Sequence, residues 1–500
     1  MLTTLGIALL MFSLCRLFFL LFNLTYFRDF SVLVFFHGLR FDLAALVIVF
    51  SPYIFLHLLP HPWRSNRYFL GGMKGLFHSL NTTAMAFNCM DIEYFKFTFK
   101  RTTFDFFDLV GYGQDVYILM PRFLSDYWYV IALWLGMVLL TEWLYRRVNR
   151  EGNGITGTMA YLREAVLLLL VVPLSVLVAR GGWQLKPLSI IHAGAHTEAR
   201  NVPLVLNTPF TLLNTWNKQQ LADRQYFPEA EAKQRFNPVI RLEHEAPFDR
   251  KNVVLIILES FSREYIGSLN NYPGYTPFLD SLIGESLVFN QCYANGKKSI
   301  EGVPSILAGL PSLMNNPYIS SIYSANTVNS LASLLKAEGY QTAFYHGGTN
   351  GTMGFDNFAA AAGFDRYVGR AEYNNEDHYD GNWGIFDEPF LQFFAEEMDA
   401  TETPFFTTFF SLSSHHPFTI PEEHRGKFAE GPLPILKTVR YADYSLREFF
   451  RTARTQSWYA NTLFVITADH TAEPIYPHYN TAVGNYAVPL IFFTPSGALR

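Results

Sequence analysis

The stretch 252-NVVLIILESFS-262 decides the fold of this chain. Its apolar run, VVLIIL, stops abruptly at Glu259. A short apolar run bounded by polar residues is the pattern of a strand buried on both faces of a parallel sheet, and open α/β sheets place their ligands at the carboxyl ends of such strands. Glu259 is therefore the first candidate functional residue, set against the ordinary reading of a strand-end acid that faces water.

Downstream of residue 251 the pattern alternates. A helical segment over 277–284 precedes a strand over 287–293, and the helix SLASLLKAEG ends at Gly339. The strands YQTAFYH and PFFTTFFSLS follow, then a helix over 436–452, the strand TLFVITADH and the strand VPLIFFTP. Strands separated by helices predict an α/β domain over 251–500 with a mostly parallel sheet covered by helices. The sequence stops at Arg500 just after an apolar strand, so further elements are expected beyond it.

Upstream the composition changes. Half of all residues are hydrophobic and 16% are charged, with the apolar excess in the first 180 positions, which predicts two parts of different character. Apolar segments at 2–24, 41–59, 68–87, 128–144 and 165–178 predict a five-span α-helical transmembrane domain over 1–180. The first is read as a retained anchor, because no small-residue cleavage site follows its apolar core. Arg64 and Arg67 lie in one loop, and Arg146, Arg147 and Arg150 in another. Placing both loops in the cytoplasm puts the N-terminus inside and the α/β domain on the extracytoplasmic side, against a weaker counter-bias from Lys96, Lys100 and Arg101. Arg16, Arg40 and Asp42 lie near or within apolar segments, where snorkelling to the interface is the ordinary account and pairing the alternative. Residues 181–250 turn polar and proline-punctuated and read as a juxtamembrane connector. A net charge of −5 without a basic tail argues against nucleic acid as a partner. Cys15, Cys89 and Cys292 are too few and too scattered for a disulfide framework or a CxxC metal site.

Three strands of the α/β domain end in groups able to bind a metal or substrate: Glu259, His415 with His416, and Asp469 with His470. A parallel sheet gathers such ends at one rim, where two carboxylates and an imidazole suit a divalent ion. The turn 295-NGKKS-299 then places Ser299 at the start of the helical pattern SIEGVPSILAGL. Serine at a helix start most often caps it, yet a metal would make that hydroxyl a nucleophile and the helix end would favour phosphoryl charge.

The order strand-Glu, Ser at a helix start, His-Gly after a strand, His-x-Pro, then Asp-His resembles the alkaline phosphatase and sulfatase superfamily. Together with five N-terminal spans it looks like the lipoteichoic acid synthase branch, the membrane phosphoglycerol transferases. The resemblance implies that Glu259, Ser299, Asp469 and His470 hold one divalent ion, Mn2+ in this branch with Mg2+ or Zn2+ as alternatives. It makes Ser299 the nucleophile in place of the usual threonine, and matches His346 and His415 to substrate-binding histidines. Where the branch carries a tryptophan and an arginine that grip glycerophosphate, this chain has Met353 and Phe355, so the substrate pocket is altered. Asp356, Asn357, Asp380, Trp383 and Asp387 are further candidates to line it. The donor implied is a membrane phospholipid; the acceptor is an extracytoplasmic glycan, glycolipid or glycerol-type hydroxyl; the setting is the bacterial cytoplasmic membrane.

Ser299 is followed by Ile300 and Glu301 with no arginine at the fifth place, which disfavours formylglycine-dependent sulfate hydrolysis. One cysteine in the soluble half argues against the disulfide-rich phosphoethanolamine transferases. A membrane-anchored phosphodiesterase of the same fold and a non-catalytic scaffold remain as alternatives.

Overall fold

The computed structural model describes all residues except 28–29, 105, 108–123, 149–157, 185, 218–220, 222–225, 238, 241–247, 315 and 500. The chain forms two compact units, one of residues 1–218 with 320–327, the other of 219–319 with 328–500.

The first unit is helical. Helices α1 (Leu2–Phe22), α2 (Leu33–Val49), α3 (Ser51–Leu58), α4 (Arg67–Thr98), α5 (Trp128–Val148) and α6 (Thr158–Ala179) carry the apolar segments of the sequence. Among the described residues α1, α5 and α6 are each long and apolar enough to cross a membrane, and α2 with α3 makes a fourth if the pair counts as one span bent by 62°. Five were expected. The expected second span breaks because Pro52 stands in the first turn of α3 and supplies no N–H to continue α2. The expected third lies within α4, whose apolar character is diluted by Lys74, His78, Asn81, Asn88, Asp91 and Glu93.

Arg16 does not snorkel. It is 2% exposed and ion-paired with the fully buried Asp42. Its guanidinium also donates to the carbonyls of Leu204, Val205 and Leu206, while Asn207 Nδ2 donates to Asp42 Oδ1 at 2.9 Å. Those carbonyls belong to residues 181–250, read from sequence as an irregular connector. Its first part instead forms α7 (Val202–Val205) and α8 (Thr208–Thr215), and Leu204, Val205, Leu206 and Phe210 join the buried cluster built on α1, α2 and α4. The prolines there sit at helix starts, where the missing N–H costs nothing.

The second unit is α/β. Its sheet contains β1 (Asn252–Leu258), β2 (Leu287–Val288), β3 (Gln341–His346), β4 (Arg366–Val368), β5 (Phe405–Phe410), β6 (Thr462–Ala468) and β7 (Leu490–Phe493), in the order β2-β7-β6-β1-β5-β3-β4. The central run from β6 through β1, β5 and β3 to β4 is parallel; β7 and β2 close one edge antiparallel. The sheet is mostly parallel, as expected. The helices of this unit include α9 (Pro277–Ile283), α10 (Ser299–Ala308), α11 (Leu331–Ala337), α12 (Phe355–Ala361), α13 (Asp387–Asp399) and α14 (Ile435–Ala453). Helices α13 and α14 bury Phe390, Phe394, Met398, Leu446 and Phe449 in the cluster that includes Val254, Ile256 and Phe409 of the sheet. With β1 as a central strand, Ile256 and Ile257 are fully buried on opposite faces, which is why the run carries no alternation.

Candidate functional site

Strand register builds the site. Leu258, the last residue of β1, pairs with Ala468, the last of β6, so Glu259 and Asp469 emerge side by side. Ile257 pairs with Phe410 of β5, and Phe410 with His346 of β3, which brings the ends of four strands to one rim. Helix α10 begins there with Ser299.

These residues converge. Ser299 Oγ donates to Glu259 Oε2 at 2.9 Å and lies 3.4 Å from His470 Nε2. That nitrogen is 3.6 Å from Glu259 Oε1 and 3.4 Å from Asp469 Oδ2. Glu259, Ser299 and Asp469 are each under 5% exposed. Burial, and then the negative charge of Glu259, push the Asp469 carboxyl well above the ordinary carboxylate range.

Glu259 is fixed from behind. Its N–H donates to Ser411 Oγ at 2.8 Å and its carbonyl accepts from Ser414 Oγ at 2.5 Å, both hydroxyls following β5. Ser260 turns the chain with a φ of 56°, an unfavourable value for a side-chain-bearing residue. In that turn its N–H donates to Asp469 Oδ1 at 2.9 Å and its hydroxyl to Glu259 Oε1 at 2.7 Å. The sequence pattern SLSSHH held this support without marking it, because a buried serine bonded to a main chain looks the same in sequence as a serine in a loop.

A cation fits this cluster. Glu259, Asp469 and His470 each present a ligand atom, all within 4.8 Å of one another. Asp469 Oδ2 is buried and receives no hydrogen bond, with His470 Nε2 3.4 Å away. Two buried carboxylates with an orphaned oxygen are costly unless a positive charge joins them, and oxygen with imidazole nitrogen suits Mn2+, Mg2+ or Zn2+.

His346 is 2% exposed, and its Nδ1 lies 3.1 Å from the carbonyl of Phe410, which only a protonated Nδ1 can satisfy. Burial lowers its pKa to about 4, so near neutral pH the ring is uncharged with Nε2 free to accept. The Phe355 ring packs edge-on to His346 and to Phe410, at 5.6 and 5.5 Å between centroids. Phe355 is 1% exposed, so it supports the imidazole from within the core. Met353 is half-buried in a turn with a φ of 51°. His415 has its Nδ1 2.8 Å from the carbonyl of His416 and its ring 4.3 Å from that of Trp383. Trp383 Nε1 donates to the same carbonyl at 2.7 Å, and its own carbonyl accepts from Thr349 N–H at 2.9 Å, in the loop after His346. Asp387 is buried beneath, accepting from Leu412 N–H at 2.7 Å and Ser413 N–H at 3.0 Å, with burial raising its pKa to about 6. Asp356 bonds to its neighbour Asn357, and Asp380 caps the turn before Trp383.

Sequence reasoning passed over Lys297. Its ammonium donates to Thr471 Oγ1 at 2.7 Å and to the Asn485 carbonyl at 2.8 Å, tying the Ser299 turn to the segment after His470. The KK pair before Ser299 was a signal, without a direction.

Residues 251–500 match the Sulfatase family. Lipoteichoic acid synthase 2 of Bacillus subtilis is 25% identical over 230 residues, 44% of this chain and 35% of that protein. Lipoteichoic acid synthase of Staphylococcus aureus is 26% identical over 235 residues, 44% of this chain and 36% of that protein. The chain thus aligns with roughly a third of the length of these curated relatives. Among solved structures, an alkaline phosphatase superfamily protein from Vibrio parahaemolyticus aligns with a TM-score of 0.45 at 30% identity, over 49% of this chain and 60% of that one. The lipoteichoic acid synthase LtaP from Listeria monocytogenes aligns with a TM-score of 0.42 at 23% identity, over 49% of this chain and 65% of that one. With half its length matched from β1 to the last strand, the chain belongs to the Sulfatase family.

Proposed function

We propose that the chain is a membrane-anchored phosphotransferase that moves a phosphoglycerol-type group from a phospholipid to a hydroxyl acceptor outside the cytoplasm, through a covalent Ser299 intermediate. The observation that carries this reading is the position of Ser299: first residue of α10, its Oγ 2.9 Å from Glu259 and 3.4 Å from His470, beside the orphaned oxygen of Asp469. The similarity to lipoteichoic acid synthases supports phosphoryl over sulfuryl chemistry, as does Val303 rather than an arginine at the fifth place of the run that starts with Ser299.

Glu259, Asp469, His470 and Ser299 would hold one divalent ion, Mn2+ as the first choice, and when bound it would lower the pKa of the Ser299 hydroxyl. Glu259 orients Oγ by the hydrogen bond it accepts. Oγ forms a bond to phosphorus as the bond from phosphorus to the diacylglycerol oxygen breaks; the serine proton is lost and the departing oxygen gains one. An acceptor hydroxyl oxygen then bonds to phosphorus, the bond to Oγ breaks, and Ser299 recovers a proton while the acceptor gives one up. The N-terminus of α10 favours the phosphoryl charge. His346 is neutral and so accepts at Nε2 from a substrate hydroxyl, and His415, beside Trp383, is the second imidazole to contact the substrate. The apolar helices of the first unit keep the enzyme at the lipid surface where its donor resides.

Mass spectrometry of the Ser299 peptide after incubation with a lipid extract tests this directly. A mass increment of a phosphoglycerol or related phospho-group on Ser299 is expected. Undiminished lipid turnover by Ser299→Ala would overturn the reading.

A further inference from the structure

A second cleft in the α/β unit, of about 520 Å³, is lined chiefly by Asn271, Tyr272, Tyr293, His478, Tyr479 and Thr481. None of the Ser299 cluster lines it. Aromatic rings are concentrated there: Tyr272 lies 4.0 Å from Tyr476, and His478 lies 4.5 Å from Tyr479, between centroids. Their outer ends are anchored, Tyr479 Oη donating to Asn270 Oδ1 at 2.7 Å and Tyr272 Oη to the Glu264 carbonyl at 3.2 Å. Tyr293 is 48% exposed, and Asn271, His478 and Thr481 are exposed beside it.

The chemistry on offer is chiefly aromatic, amide and hydroxyl, with one guanidinium. Arg263, the one lysine or arginine among the described lining residues, donates from its two terminal nitrogens to the carbonyls of Asn290 and Leu269. Anchored ring faces with amide and hydroxyl edges complement a sugar ring, whose C–H faces pack on aromatics and whose hydroxyls bond to polar rims. An alkyl chain would strip water from the asparagine and threonine groups without replacing it.

The rim of this cleft is joined to the nucleophile's turn. Tyr293 pairs with Ala487 in an antiparallel bridge, and Ala294 N–H donates to the Tyr486 carbonyl at 2.7 Å. Lys297, two residues before Ser299, donates to Asn485 in the same loop and to Thr471 next to His470. From this juxtaposition we infer that the Tyr272–Tyr293–His478 cleft binds a neutral saccharide and serves as the acceptor subsite. The acceptor role rests on the phosphotransferase reading; the binding does not.

The test is calorimetric titration of the full chain, held in a detergent without a sugar headgroup, with maltose, cellobiose and lactose. At least one disaccharide is expected to bind with a Kd of about 1 mM or tighter. Tyr293→Ala and Val483→Trp, the latter filling the cleft from a 59% exposed rim position, should each weaken binding about tenfold with melting unchanged. Ser299→Ala should bind saccharide as the parent does, which keeps this result separate from the fate of the covalent intermediate. No binding by any of the three sugars, or equal binding by the parent and the folded Val483→Trp variant, would overturn the subsite. Saccharide binding without any increase in phospho-transfer when the sugar is supplied as acceptor would overturn its acceptor role.

Discussion

The α-carbon of Gly302 lies so close to Asp469 that a β-carbon there would sit 2.2 Å from the Asp469 carbonyl oxygen. One helical turn separates Gly302 from Ser299, so this approach sets how near the nucleophile comes to Glu259 and His470. Gly302→Ala is expected to push α10 off the rim. Overpacking should cost about 1–3 kcal/mol of stability, and a displacement near 1 Å should slow lipid turnover about a hundredfold. Parallel thermal melts and turnover assays check this; a variant with full activity would show that α10 has room to spare.

Asp469 and Glu259 repel one another in a buried site unless a cation joins them. Asp469→Asn removes one charge and keeps an oxygen for the Ser260 N–H. In chelator the variant should melt about 2–4 °C above the parent, while its divalent-metal content by elemental analysis falls towards zero. A lower melting point in chelator would mean that the carboxylate is stabilised by the protein alone.

Far from the rim, Asp443 on α14 accepts from the N–H groups of Phe278 and Leu279 at the start of α9, each at 2.9 Å. Burial nonetheless raises its pKa from 3.8 to about 7. The folded state therefore holds a proton that the unfolded chain releases near pH 4. The stability this contributes is fully present below the unfolded value and is lost as pH rises through about 7, with a slope of at most about 1.4 kcal/mol per pH unit. Denaturant titrations from pH 4.5 to 7.5 should show the advantage of the parent over Asp443→Asn shrinking as pH rises. A constant difference would place the folded pKa near its ordinary value.

In the helical unit, Arg16 binds Asp42 and three consecutive carbonyls of the segment entering α8. Arg16→Met leaves Asp42 buried without its cation and should cost about 3–5 kcal/mol. Protease cleavage within residues 201–207 should accelerate, and adding Asp42→Asn should recover part of the loss. If the double variant is no better than the single, the carbonyl contacts outweigh the ion pair.

Much of the α/β unit was legible because its signals are local. An apolar run without alternation marks β1 as central, and Ser330 and Gly339 punctuate α11 at its two ends. Helix α13 was not read, although Phe390, Phe394 and Met398 fall on one face at helical spacing. Its first turn, DEPF, carries a proline that reads as a break when the preceding strand-like residues are unassigned. The helical unit was less legible. Pro52 splits one apolar segment, and the polar residues of α4 are satisfied by partners far along the chain: Asp91 accepts from the Thr208 hydroxyl, and Asn88 from Thr208 N–H.

By itself the sequence determined which residues end the strands and which begins a helix: Glu259, Asp469, His470 and Ser299 stand at boundaries fixed by hydrophobic pattern and turn chemistry. Family membership followed from the same order of motifs. Only the tertiary structure decided what those residues do to each other. Register sets Glu259 beside Asp469, a missing β-carbon at Gly302 admits Ser299, and burial leaves one Asp469 oxygen unpaired. The aromatic cleft at Tyr272, Tyr293 and His478 was beyond reach of the sequence for the same reason: its walls come from segments some 200 residues apart, and only packing brings them together.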